Sequence, residues 1–235
     1  MGAVALGAGV YRIPTAGDYI NSFAFIESDG SVTLVDTGTV FASKRIVNGL
    51  DAIGKHPKDV QRIVLTHAHP DHAGSAAKLL PRTSAPGTAV HAEDADFVRT
   101  GESPPNGSAL GNVLHRMPGM GFAACPVAEV IVDGDVLDVA GGLQVSHTPG
   151  HTPGHISLLH QDSGVLITGD SIFNMNGRMT WPVKLFCTDF PLTQQTAAVL
   201  GDLDYRVAAF THGPHIASNA RESVRSFLRR KGVSR

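Results

Sequence analysis

The sequence holds only two cysteines, Cys125 and Cys187, and they lie far apart. Neither a disulfide framework nor a Cys-x-x-Cys metal site can be built from them, and two free thiols point to a reducing compartment. Charge is sparse as well. Charged residues make up 17% of the chain, and 19 Lys and Arg against 21 Asp and Glu leave a formal net charge of −2. No excess of either sign offers itself to nucleic acid or to an anionic membrane. No apolar run approaches the roughly 20 residues that span a bilayer. The opening "MGAVALGAGVYR" has no basic residue ahead of its apolar stretch, so it does not read as an export signal. These absences leave a cytoplasmic globular protein acting on a small molecule as the expectation.

Hydrophobic residues are plentiful at 42%, and 235 residues bury a sizeable core, here expected as one domain over 1–235. "SFAFIES" and "SVTLVDT" are strand-like and meet at "DG", a hairpin signal. Ile46, Val47, Leu50 and Ile53 recur at helical spacing over 42–54. "QRIVLT" predicts another strand, "DHAGSAAKLLP" a helix stopped by Pro81, "TAVHA" a strand and "EDADFVRT" a short helix. Strands resume with "EVIVD", "DVLDVA", "LQVSHT", "ISLLHQ" and "GVLITGD". The chain closes with a helix over 193–200, the strand "RVAAFT" and a helix over 219–230. Strands followed by helices, twice over, suggest two sheets face to face with helices covering both. Two stretches, 101–121 and 171–190, have no clean period and read as functional loops.

"VLTHAHPDHAGS" concentrates His67, His69, Asp71 and His72 within six positions at the end of a strand-like run. Imidazoles and a carboxylate crowded together are costly to bury unpaired, and a cation removes that cost. An extended backbone turns His67 and His69 to one side. Past Pro70 a helix start aims Asp71 and His72 at a second point nearby. Further ligand types stand where strands meet loops: His147, His151 and His155 in "HTPGHTPGHIS", Asp170 in "LITGDS", and His212 and His215 in "FTHGPH".

Taken together, "LVDTG", "THAHPDH", "HTPGHTPGH", "TGD" and "THG" resemble the metallo-β-lactamase-fold hydrolase superfamily, in order and across most of the chain. The resemblance implies an α+β fold, a four-layer αβ/βα sandwich of two mixed β-sheets flanked by helices, with metals at one sheet edge. It implies two Zn2+ ions, with iron or manganese as alternatives. His67, His69 and His151 match the ligands of one metal, and Asp71, His72 and His212 those of the other. Asp170 matches the carboxylate shared by both, and Asp36 one that orients a ligand. His147 and His155 fall to supporting roles. Many relatives read "GHG" where this chain has Thr211 before His212.

The implied chemistry is attack on an ester, thioester or lactone carbonyl by a hydroxide bridging the metals, with Asp71 and Asp170 as the catalytic carboxylates. The small glyoxalase-II-like and lactonase-like members are the best match in length. The alternatives are a β-lactam hydrolase and a mononuclear iron persulfide dioxygenase held by His67, His151 and Asp170. Apolar residues of the two irregular stretches are expected to wall a pocket at the metals. They are Leu110, Val113, Leu114, Met117 and Met120 in the first with Phe122 just after it, and Phe173, Met175, Trp181 and Phe186 in the second. Arg178 or Lys184 could meet a substrate carboxylate.

Overall fold

A computed structural model describes residues 2–115 and 121–233. In chain order the first half comprises β1 (Val4–Gly7), β2 (Val10–Pro14), β3 (Asn21–Ile26), β4 (Val32–Val35), α1 (Ser43–Ala52), β5 (Val60–Val64), α2 (Pro70–Ala73), α3 (Ala76–Leu79), β6 (Thr88–His91), α4 (Ala95–Thr100), α5 (Ala109–His115) and β7 (Val127–Ile131). The second half comprises β8 (Val136–Leu137), β9 (Leu143–His147), β10 (Ile156–His160), β11 (Val165–Ile167), β12 (Phe173–Met175), β13 (Arg178–Thr180), α6 (Phe190–Thr196), β14 (Val207–Ala209) and α7 (Ala220–Arg230).

Among the described residues the strands form a seven-stranded sheet in the order β1 to β7, a five-stranded sheet in the order β14-β11-β10-β9-β8 and a separate pair, β12 and β13. The two larger sheets are mixed. β1 to β4 run antiparallel and β4 to β7 parallel. β8 to β11 run antiparallel, and β14 joins β11 in parallel.

Period-two alternation sorts the side chains into layers. On β3, Phe23 and Phe25 enter the core between the sheets while Ala24 faces the helices. On β11, Val165 and Ile167 enter that same core while Leu166 faces outward. Ile46 and Leu50 of α1, Leu79 of α3 and Val98 of α4 cover the outer face of the first sheet. Val224, Phe227 and Leu228 of α7 cover that of the second. The result is the expected helix–sheet–sheet–helix sandwich.

Several local expectations are corrected. β1 and β2 form a hairpin in the segment read only as an apolar start. The helix expected up to Pro81 breaks at Gly74 and Ser75 into α2 and α3. Ser75 Oγ donates to the Thr39 carbonyl there, so a tertiary contact overrides helical continuity. The stretch after Asp170 contains the β12–β13 hairpin, whose turn residues Asn176 and Gly177 both have positive φ. No helix among the described residues is long and apolar enough to cross a membrane.

Candidate metal centre

The end of β5 delivers the His cluster. Leu65 stays paired to β6 through its N–H to Ala89 O, at 2.9 Å. One residue later, Thr66 O accepts from Ile156 N at 3.0 Å, a bond that ties the end of β5 to the start of β10 in the other sheet. His69 is extended at φ −108° and ψ 156°, and Pro70 opens α2. As expected, His67 and His69 share one side, with Nε2 and Nδ1 3.1 Å apart. The loop between β9 and β10 brings His151 Nε2 to 2.9 Å from His69 Nδ1.

Asp170 follows β11 and sits in the middle. Its Oδ2 lies 3.1 Å from His151 Nε2 and 3.4 Å from His212 Nε2, and its Oδ1 lies 3.3 Å from His72 Nε2. His212, just past β14, is 3.2 Å from Asp71 Oδ2. Three ligand-type groups overlap: His67, His69 and His151; His67, His72 and Asp170; and Asp71, His72 and His212, with ligand atoms in each within 4.8 Å of one another. All seven sequence-predicted residues therefore converge. His147 does not, since its ring stacks on His91 with centroids 3.9 Å apart. His215 is in none of the three groups.

Supporting bonds fix which nitrogen faces the centre. Thr66 Oγ1 donates to Asp36 Oδ2 at 2.8 Å, so it accepts from His67 Nδ1 at 3.0 Å. Asp36 Oδ2 also takes His72 Nδ1–H at 2.9 Å. Asp36 adopts φ 59°, a conformation Asp tolerates better than most residues. Tyr19 O takes His212 Nδ1–H at 2.8 Å, and Cys187 Sγ lies 3.4 Å from His151 Nδ1. Each of these rings thus turns Nε2 inward, where loss of its proton presents a lone pair to a cation. His72 Nε2 and His212 Nε2 are buried without a hydrogen bond. Lone pairs of several imidazoles facing two carboxylates across a few ångströms fit a divalent cation.

The electrostatics follow. Burial opposes a proton on His72, His151 and His212, yet the Asp170 carboxylate overrides it. His72 is raised well above the usual range, His151 to about 9 and His212 to about 10. Burial holds His67 well below that range, helped by the neighbouring imidazoles. Burial, reinforced by His151, pushes His155 down to about 3. His155 is therefore neutral: Nδ1–H reaches Thr148 O at 2.9 Å, and Nε2 accepts the Asp170 N–H at 2.7 Å. Gly169 has φ +53°, and a Cβ there would collide with His155 Nε2, so only glycine lets the chain pass.

The sequence profile of the metallo-beta-lactamase superfamily matches residues 16–232. The chain belongs to that superfamily. It is 30% identical over 196 residues to the probable metallo-hydrolase YybB of Bacillus subtilis strain 168, covering 83% of this chain and 81% of that one. It is 32% identical over 132 residues to an N-acyl homoserine lactonase of a Bacillus species, covering 55% of this chain and 45% of the relative. Among solved structures, a metallo-beta-lactamase family protein from Thermus thermophilus superposes with a TM-score of 0.73 at 26% identity, covering 97% of this chain and 81% of that one.

In this metallo-beta-lactamase superfamily member a cavity of about 380 Å³ opens onto His69, Asp71, His151, Asp170 and His212. Phe173, Met175 and Phe186 line it as expected, joined by Ile20, Val40 and Val183, which the sequence reading missed. Trp181 instead packs on Phe227, with ring centroids 4.8 Å apart, and Phe122 joins the helix-side core. Leu110 and Val113 point to solvent. Only the backbone of Leu114 is described, and Met117 and Met120 lie outside the described residues. Arg178 is exposed on β13, and Lys184 lines a neighbouring cavity.

Asp94 and Asn21 escaped the sequence reading, as did the part played by Thr211. Asp94 accepts from Ala68 N at 2.8 Å, Thr152 Oγ1 at 2.7 Å and Gly154 N at 2.7 Å, tying the His67–His69 segment to the His151 loop. Burial raises its carboxyl, and these three bonds pull the other way. Asn21 holds the His212 loop, its Nδ2–H donating to Gly213 O at 2.8 Å. Thr211 Oγ1, at the position where the motif departs from "GHG", donates to Asp170 Oδ1 at 2.7 Å.

Proposed function

We propose that the protein is a binuclear metal-dependent hydrolase of ester, thioester or lactone carbonyls. The observation that carries this reading is Asp170, a buried carboxylate whose two oxygens reach His72, His151 and His212 at once. In this reading His67, His69 and His151 hold one cation, Asp71, His72 and His212 the other, and Asp170 serves both. Two zinc ions, or iron or manganese in their place, would supply a hydroxide nucleophile at neutral pH and a Lewis acid for the carbonyl oxygen.

The chain's own residues do the rest. Asp71, one-third exposed and bordering the cavity, is placed to take a proton and pass it to the leaving group. Asp36, Thr66 and Tyr19 hold the imidazoles in the tautomer that ligation requires. The apolar walls take up the acyl part of the substrate and limit the entry of competing water. The name of the lactonase relative supports a carbonyl substrate.

The test is elemental analysis of protein purified without added metal, paired with an ester, thioester and lactone screen. About two divalent ions per chain are expected. Asp170→Ala is expected to lose at least one of them and to abolish turnover while remaining folded. Two ions and full turnover in that variant would remove the shared carboxylate from the scheme. One iron per chain, with oxygen uptake on thiol substrates, would favour the dioxygenase instead.

A further inference from the structure

The wall of the metal cavity is also the wall of a second concavity. Thr39 and Val40 line the metal cavity. Val40 and Phe41 line a groove of about 570 Å³ on the other side, bounded by α1 and the turn after α3. Lys44, Lys78 and Arg82 all face this groove, and no carboxylate lines it. All three are exposed, and none makes an ion pair among the described residues. Lys78 Nζ donates to Val40 O at 2.8 Å, which fixes an ammonium on the back of the residue that faces the metals. Phe41, 75% exposed, lines the same groove.

Three cations lining one groove that no carboxylate lines are a local reversal of sign in a chain of net charge −2. Such a cluster attracts a multiply charged anion more than a single carboxylate. Arg82 offers a planar fork and the two lysines mobile point charges, a combination suited to phosphate oxygens. The metal cavity, by contrast, is lined by apolar side chains and the ligand-type residues, with no Lys or Arg among its described lining. A substrate that satisfies both spaces has an uncharged apolar acyl group at one end and phosphate at the other. The dividing ridge, residues 39–41, is at most about 10 Å long even if fully extended. A flexible thiol arm can cross it.

We propose that the groove between α1 and the turn after α3 binds the phosphate groups on the leaving thiol of an acyl thioester, while the acyl chain occupies the metal cavity. Water adds to the carbonyl carbon, the C–S bond breaks, and the released thiolate takes up the proton, giving a carboxylic acid and a phosphorylated thiol. The exposed Phe41 ring offers a stacking face to an aromatic base on that thiol. This proposal rests on the reading of the site as a carbonyl hydrolase.

The experiment compares octanoyl-coenzyme A with octanoyl-N-acetylcysteamine, the same acyl thioester without phosphates, on the metal-loaded protein. At low salt kcat/KM is expected to be at least tenfold higher for the coenzyme A ester, mainly through KM, with the advantage shrinking as salt rises. In a Lys44→Glu, Arg82→Glu variant the ratio of the two kcat/KM values is expected to fall at least tenfold. A Lys44→Arg, Arg82→Lys variant should keep it. Equal kcat/KM for the two esters in the wild type overturns the groove assignment while leaving the hydrolase reading intact. If neither ester is cleaved, binding of desulfo-coenzyme A, measured by calorimetry, decides the groove separately. Binding that the charge-reversal variant abolishes sustains it, and no binding in the millimolar range ends it.

Discussion

Four of the imidazoles at the centre spend one ring nitrogen on a protein partner, and the partners differ in strength. His72 answers to a carboxylate, His212 to a carbonyl, His67 to a hydroxyl and His151 to the sulfur of Cys187, the weakest acceptor of the four. The opposite nitrogens carry the pH dependence. The raised pKa values of His151 and His212, about 9 and about 10, favour a proton on these rings in the metal-free protein at pH 7.5, and His72 is shifted in the same direction. A cation needs those lone pairs, so loading must expel the protons, and affinity must weaken as pH falls. Calorimetric titration with zinc at pH 7.5, in buffers of different ionisation enthalpy, is expected to show release of two to three protons per loaded chain. Release of none would mean that the metal-free rings are neutral. Above the pKa of His212, near 10, the release should fade.

At the scale of elements, the centre depends on short pieces pressed together. Gly74, between α2 and α3, passes so close to the 38–39 segment that a Cβ would lie 2.5 Å from Thr39 C and 2.6 Å from Gly38 O. Gly74→Ala must push α2, with Asp71 and His72, away from the ridge that walls the cavity. The expected outcome is at least a tenfold loss of zinc affinity in chelator competition, together with a lowered Tm; an unchanged affinity would show that α2 can move without its ligands. The same elements show what the sequence made legible. His67, His69, Asp71 and His72 were readable from their crowding into six positions, and Asp170 and His212 from standing just past apolar strands, whereas His151 was separated from His147 and His155 only by the family resemblance. β12 and β13 were readable in principle from Asn176–Gly177, the dipeptide that favours a tight hairpin turn. Asp94 was not. Its neighbours "AEDAD" read as a helix face, and its three partners come from 26 to 60 positions away. Cys187 and Asn21 act through contacts of the same non-local kind. Local pattern reports where a strand stops and says nothing about which distant loop a buried carboxylate will tie down.

For the whole molecule, the core between the sheets is what sets the ligand loops opposite one another. Phe23, Phe25, Val64, Val145, Leu158 and Ile167 belong to it, and Phe25 is fully buried. Truncating a buried Phe to Ala typically costs about 3–5 kcal/mol. Against a total of about 5–15 kcal/mol for an ordinary domain, that is a large share. Phe25→Ala is therefore expected to move the urea midpoint sharply downward at unchanged m-value, and to loosen metal binding although Phe25 touches no ligand. The four-layer arrangement was legible from the alternation of apolar residues and the placing of helices after strands. The partition of the irregular segments was not, since Phe173 and Phe186 border the cavity while Trp181 and Phe122 pack into cores, and all four are equally apolar.

The ligand-type residues are strung along the chain from His67 to His212, and the last of them is reached only through β14, which joins its sheet by pairing with β11. During synthesis on a ribosome, the earlier histidines emerge well before the later half of the cage exists. An ion met at that stage would find His67, His69 and His72 with nothing to close around it. The complete ligand set therefore exists only after β14 has paired with β11, so a metal would be held by the full cage late, once the second sheet has formed.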